Sequence, residues 1–444
     1  MRSRLHGGLA RMGVALGAVF ILVAGGFTTA QGAVLHPAAK PVTLTFWEGN
    51  TTDPQLKAAM SAYHKEHPNV KFAISTLPGT SYDTKVNLAM KSGKVPDIFE
   101  NHGGGLLFAQ FLPGHQLVDL GKLIPQLKEN YLPTVLDPIT SKGQIYAMPY
   151  TGTQPDAIFY NKSDFQKAGI SGPPSTWAQF LKDVKTLKQH GMIPIAEGNE
   201  TWAEMMWPQY IATKLGGPAF GQSILTNKPD AWSQTPMTRA LSLTEQLLKL
   251  QPFEPGYQGI QWGNGEPTQL VASGQAAMEL QGAWEVGNMQ EKTPSFAKST
   301  DLGYFAFPKV PGATSAGEKN VAGNPATYVS VPTKAPDKQA AIDFMKFFTT
   351  KKFAGMVLKA GQVPGTKTGG ASIKTAKLDK VTRAWDNFAF QQVQKAPYFQ
   401  QSWDQYLSAG ISTEMTTDIG KLFAGSMTPG QLTKDLDSTE ANAG

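Results

Sequence analysis

Three tryptophans stand where the chain leaves one element for the next, each with an acid or amide nearby. Trp47 precedes Glu48, Trp202 follows Asn199 by three residues, and Trp284 precedes Glu285. Such a pairing suits a ligand with an apolar face and a polar rim. A pyranose has both, since its C–H face stacks on an indole and its hydroxyls need acceptors and donors such as carboxylates and amides. An unmet hydrogen bond in a closed site costs about 1–3 kcal/mol, so correct placement of those groups confers specificity. For each ring taken alone, packing in a core is an equal reading.

The stretch from Val271 to Glu285 is the densest of these. It reads as a helix end, a Gly274-Gln275 turn, a short apolar strand from Ala276 to Leu280, and then Gly282-Ala-Trp284-Glu285. Gly282 permits backbone angles that a Cβ would forbid. Trp284 is thereby presented at a strand-to-helix junction.

Catalytic chemistry is less well supplied. The sequence holds no Gly-x-Ser-x-Gly elbow, no Walker loop and no His-Glu-x-x-His. His64 and His67 have i,i+3 spacing on a helix but no acidic third ligand, so they read as a solvated face rather than a metal site. Glycoside hydrolysis needs two carboxylates about 5–10 Å apart. Glu48, Glu197 and Glu285 could supply them, so a secreted hydrolase stays open at this level. A receptor for a cation such as a polyamine would call for a site dominated by acids, whereas this one mixes tryptophan and amides. No cofactor and no metal is expected.

The 444 residues suffice for two ordinary domains, and 41% hydrophobic with 17% charged residues is the composition of a globular protein. The formal charge is +6, and three arginines belong to the first 33 residues, leaving +3 beyond them. That small and dispersed excess gives no reason to expect nucleic acid. Arg2, Arg4 and Arg11, an apolar run from Met12 to Phe27, and small residues through Ala33 match a secretory signal over residues 1–33. The run is short of the ~20 residues of a comfortable membrane span, although an uncleaved anchor is the other reading. There is no cysteine, hence no disulfide, thiolate metal site or lipid-bearing cysteine.

The elements that must position these residues alternate. Val42 to Trp47 is a strand, Asp53-Pro54 opens a helix that Pro68 stops, and Val70 to Ile74 is a second strand. A helix near Tyr82 to Lys91 and a buried strand at Ile98-Phe99 complete β-α-β-α-β, which implies a parallel sheet covered by helices. Ligands of such sheets lie at the carboxyl ends of strands, here Trp47-Glu48-Gly49-Asn50 and Glu100-Asn101-His102-Gly103. Tyr146 to Tyr160, rich in Pro and Gly, is a crossing between lobes. Leu302 to Pro308 is a second crossing strand and Gly361 to Gly365 a third. Trp177 falls on the apolar stripe of a helix from Ser175 to Gln189 and is core. Tyr328 to Val331 is a strand, and Pro336 to Lys359 is helical.

These stretches resemble the extracellular sugar-binding proteins of bacterial ABC importers, the family 1 solute-binding proteins. The resemblance is carried by Leu44-Thr-Phe-Trp47, Gly93-Lys-Val-Pro-Asp-Ile-Phe99 and Ile158-Phe-Tyr-Asn-Lys162. It continues through Ala272-Ser-Gly-Gln-Ala-Ala-Met278 with Gly282-Ala-Trp284, and the helix from Ala340 to Phe348. It implies an α/β, two-lobed periplasmic-binding-protein-like fold with a multi-crossing hinge, closing on a mono- or oligosaccharide. Lobe 1 would be 41–149 plus 308–363, and lobe 2 would be 150–307 plus 364–444. Such a protein is a receptor and not an enzyme; it acts as a monomer outside the cytoplasmic membrane and delivers its carbohydrate to permease subunits. By position, the resemblance places Trp47, Glu48, Asn50, Asn101 and His102 on the first lobe's side of the site. It places Trp207 and Trp284 on the second, with Glu197 as the candidate acid upstream of Trp207, and adds Trp403 from a late helix; Asn199, Trp202 and Glu285 join them from the pairing of rings with acids and amides above, and Asp156 and Asn324 from loop position alone. Gram-positive members usually carry a lipid-bearing cysteine, which this sequence lacks, so the resemblance leaves open a periplasmic protein, one held at the cell surface by an uncleaved leader, or one released.

Overall fold

The strand Val42–Gly49 alternates buried and part-exposed residues, with Leu44, Phe46 and Glu48 inward, as a half-covered sheet requires. It pairs in parallel with Val70–Leu77 on one side and Ile98–Asn101 on the other. The helices Pro54–Glu66 and Gly79–Ser92 make the two crossovers, so the opening is β-α-β-α-β as the sequence implies. Pro54 occupies the first turn of its helix, and Leu56, Ala59, Met60 and Tyr63 form its buried stripe. This computed structural model describes residues 40–49, 53–77, 79–105, 108–199 and 202–443. The expected leader, 1–33, and Asn50 lie outside the described residues.

Two later strands complete the first sheet. Tyr328–Ser330 lies antiparallel to Ile98–Asn101, and Met148–Pro149 pairs with its other edge. A second sheet runs in the order Leu302–Phe305, Ala157–Asn161, Ala276–Gln281, Ile193–Ile195. A third, small one joins Phe399–Gln401, Val321–Asn324 and Gln154–Pro155. Helices cover both large sheets. Trp177 stacks on Phe180 at 5.2 Å and on Phe307 at 5.8 Å, so it is core, as its stripe indicated.

The crossings differ in one place from expectation. Leu302–Phe305 pairs antiparallel with Ala157–Asn161 inside the second sheet and crosses nothing. The residues after it stay with that half, because Lys309 bridges to Thr176 and the Lys214 ammonium donates to the Glu318 carbonyl at 2.7 Å. The chain instead leaves Val321–Asn324 and enters the first sheet at Tyr328. A run of β-rich residues in sequence cannot show which sheet it joins. From these contacts we propose lobes of 41–149 with 325–363, and of 150–324 with 364–444.

The crossing segments are tied side by side. The Thr153 amide donates to the Val363 carbonyl at 2.7 Å, and the Asp156 amide to the Ala322 carbonyl at 2.9 Å. Gly323 has φ +129°, and a Cβ there would lie 2.3 Å from the Gln154 carbonyl oxygen, so only glycine fits. The helical stretch read from Pro336 to Lys359 is broken. Lys338–Lys346 ends in a tight turn at Phe347–Thr349, and Thr350 caps a new helix, Lys351–Lys359, by accepting the Phe353 amide.

Candidate functional site

The strand Ala276–Gln281 is buried along its whole length and delivers Trp284 to the start of the helix Glu285–Lys292. The indole lies directly on Gly282. A Cβ at that residue would come within 2.1 Å of the ring's Cζ3. Close approach, rather than an unusual backbone angle, is therefore why glycine stands there, which corrects the sequence reading. Gly282→Ala is expected to turn the ring out and shift tryptophan fluorescence to the red, at a cost of about 1–3 kcal/mol. Unaltered emission in a stable variant would refute that seat.

Trp284 does not stand alone. Its ring centroid is 5.7 Å from that of Trp202 and 6.5 Å from that of Trp262, and Trp202 and Trp262 are 5.5 Å apart. All three pairs are close to perpendicular, the edge-to-face arrangement that the ring quadrupole favours. Each ring is only partly buried. Trp262 was missed in the sequence. The signal was present, since Trp262-Gly-Asn-Gly265 stands just before the helix Glu266–Ser273, the same kind of position that singled out the other rings.

The acids beside the tryptophans do not point at a ligand. Glu285 is fully buried. One of its oxygens accepts from the Thr268 hydroxyl at 2.6 Å and the other from the Trp262 indole N–H at 3.1 Å. Asn288 Nδ2 donates to the same carboxyl at 3.2 Å. Burial pushes Glu285 up to about 7 even with these donors. Its neighbour Glu279 is pushed well up by burial and then by the Glu285 charge. Glu285 thus anchors Trp262 and Asn288 from behind, a correction to its expected role as a ligand contact.

Glu197 is likewise enclosed. It accepts from the Trp207 indole N–H at 2.9 Å and from the Gly198 amide at 3.1 Å, and burial pushes it up to about 8. Trp207 has no exposed surface and packs on Phe180 and Phe307. Trp403 is equally buried, 5.5 Å from Trp232 and 6.3 Å from Phe220. Both expected ligand contacts are corrected to core rings, because a face without accessible surface cannot meet a ligand.

A separate group gathers on the first sheet. Trp47 is partly buried, with the Lys85 ammonium 4.0 Å above its centroid. Glu48 and Glu100 are buried beside it, and Glu100 accepts from the Tyr150 hydroxyl at 2.7 Å. Burial pushes Glu100 up to about 8. His102 Nε2 is 3.9 Å from the Glu100 carboxyl. Asn101 spends its amide on the Ser330 hydroxyl and the Gly103 N–H, so it fixes a turn rather than facing a ligand. Asn199 is exposed and ties its loop to the Gln258 carbonyl at 2.7 Å. Asp156 and Asn324 are buried beside the crossings, where Asn324 accepts from Gln401 Nε2.

Between the crossings and the Trp284 helix lies a cavity of about 160 Å³, lined among others by Thr153, Gln154, Trp284, Asn288 and Gln362. Among the described residues no group of three or more His, Asp or Glu is placed to hold a metal ion, and no helix is long and apolar enough to cross a membrane.

Comparison with known proteins agrees with this architecture. Residues 48–354 match the family model described as bacterial extracellular solute-binding protein. An ABC transporter extracellular-binding protein of Pyrococcus horikoshii is 25% identical over 337 residues, 74% of each chain. The melibiose/raffinose/stachyose-binding protein MelE of Bacillus subtilis is 22% identical over 406 residues, covering 89% of this chain and 88% of its own. A structure from work on xylan utilization by Caldanaerobius polysaccharolyticus superposes with TM-score 0.75 at 25% identity, over 89% of this chain and 99% of that one. A chitin oligosaccharide binding protein gives TM-score 0.74 at 24% identity, over 91% and 99%. These neighbours are two-lobed solute-binding folds, the α/β architecture expected from the sequence. The chain belongs to the bacterial extracellular solute-binding proteins.

Proposed function

We propose that this protein is the sugar-binding receptor of an ABC importer, exported by its leader and working as a monomer outside the cytoplasmic membrane. It captures a mono- or oligosaccharide between its lobes and presents it to permease subunits. The observation that carries this reading is the partly exposed three-tryptophan cluster of Trp202, Trp262 and Trp284, of which Trp284 borders a cavity beside the crossings. MelE and the diacetylchitobiose binding protein DasA of Streptomyces coelicolor, 24% identical over 344 residues, are relatives whose names specify sugars. Ligand contacts both lobes only when they close, so binding draws the open–closed equilibrium toward the closed form. The buried, hydrogen-bonded state of Glu197 and Glu285 supports binding over hydrolysis, since a glycosidase needs two carboxylates facing the scissile bond.

Thermal-shift screening against sugars, polyamines and metal ions tests the reading, with product analysis on every sugar that binds. A raised melting temperature with sugars and intact ligand afterwards is the expected result. Response to polyamines alone, or release of shorter sugars, would sink it.

A further inference from the structure

At one edge of the second sheet lies the strand Ile193–Ile195, and the segment after the helix Thr235–Leu248 runs along its free side. The Ile195 amide donates to the Pro252 carbonyl at 3.0 Å, which fixes Phe253 and Glu254 beside the strand. A cavity of about 670 Å³ opens there, within the ~300–1,000 Å³ of small-molecule sites. It shares no lining residue with the cavity that borders Trp284, so its occupancy and sugar capture are measured apart.

Aromatic rings and a carboxylate line this space. Phe253 lies 4.9 Å from Tyr257, centroid to centroid, and stacks on Phe423 at 5.9 Å. The faces of such rings are electron-rich and attract cations. Glu254 lines the same cavity, and its carboxylate accepts from the Glu197 amide at 3.1 Å. Glu204 stands behind Tyr257, where burial and then the Glu204 charge push the phenol up. Among the described residues no lysine or arginine pairs with Glu197, Glu204 or Glu254. The one basic side chain in the lining, Lys188, is spent on the chain just past the helix end, donating to the Leu250 and Gln251 carbonyls at 2.7 and 3.0 Å.

We propose that this cavity binds a small organic cation, an ammonium on an aromatic body, with the charge beside Glu254 and the body against Phe253, Tyr257 and Phe423. The ligand's charge is the partner that the carboxylate lacks, since an opposite charge within about 4–6 Å favours an ionised acid. A neutral analogue would cover Glu254 without that compensation, and an anion would add a like charge beside three acids. The site lies outside the sugar cleft of the receptor reading and does not depend on it.

Calorimetry on the purified protein tests the proposal at about pH 8, above the value of about 7 to which burial pushes Glu254. The probes are phenethylamine and benzyltrimethylammonium, set against 2-phenylethanol and phenylacetate. Both ammonium compounds are expected to bind about tenfold more tightly than the alcohol, with phenylacetate weakest. Glu254→Gln, whose side-chain oxygen still accepts from the Glu197 amide, should reduce that margin roughly fivefold. Gln258→Lys sets a fixed cation on the exposed rim. It should weaken the ammonium compounds and spare the alcohol, which keeps the test open should the first variant fail to fold. Equal affinity for phenethylamine and 2-phenylethanol, no binding of either ammonium, or a margin that survives in folded Glu254→Gln protein overturns the proposal.

Discussion

Trp284→Ala is expected to weaken carbohydrate binding at least tenfold, about 1.4 kcal/mol, because the ring that borders the cavity beside the crossings disappears. The fold should survive, at a measurable cost. Trp284 makes edge-to-face contacts with Trp202 and Trp262, each worth about 0.5–1.5 kcal/mol beyond area, and its N–H donates to Gln281 Oε1 at 3.2 Å. The three-ring cluster makes this a moderate loss of stability. Trp284→Phe should restore part of the affinity. Trp403→Phe, altering a ring with no exposed face, should lower the melting temperature and leave affinity in place. Calorimetry beside thermal melts separates the two behaviours. Unchanged affinity in a folded Trp284→Ala protein would make that ring core as well.

A second large effect concerns pH. Burial pushes Glu100 and Glu197 from an ordinary 4.5 up to about 8, and Glu204, Glu254 and Glu285 up to about 7. In the folded protein these carboxyls hold protons that the unfolded chain has already released above about 4.5. The folded state therefore binds more protons through that window, and stability falls as pH rises from about 4.5 to about 8. Because these groups all act in the same direction, the melting temperature should fall by at least several degrees across that window. Glu197→Gln keeps an acceptor for Trp207 Nε1 and removes one titration, and it should flatten the decline. A melting temperature that holds steady or climbs between pH 5 and 8 would show that these carboxyls ionise in place.

The first half of the fold was written locally. Pro54 at a helix start, Pro68 beyond its end and alternation from Val42 onward fix β-α-β-α-β through steric and periodic rules that act within a few residues. The same holds for the strand Ala276–Gln281 and for Trp284 at the following helix start. Sheet membership was not local. Leu302–Phe305 has the composition of a strand wherever it goes, and its partner 145 residues earlier decides that it stays in the second sheet. Partner choice depends on contacts that only the closed chain creates.

The site shows the same division. Residue type and position near an element end marked Trp202 and Trp284, and that criterion extends to Trp262, which nonetheless escaped it. What the sequence could not assign was direction. Trp207 and Trp284 each stand at the start of a helix, yet one is sealed between Phe180 and Phe307 while the other borders a cavity. Glu285 looks from the sequence like the acid that meets a ligand, and its hydrogen bonds to Thr268, Trp262 and Asn288 turn it inward. The sequence by itself determined the elements, the family and the kind of chemistry, because propensity, spacing and motif are properties of neighbouring residues. Which ring faces open space, and which acid stands behind it, was decided only by tertiary structure, because exposure belongs to surfaces that distant segments build together.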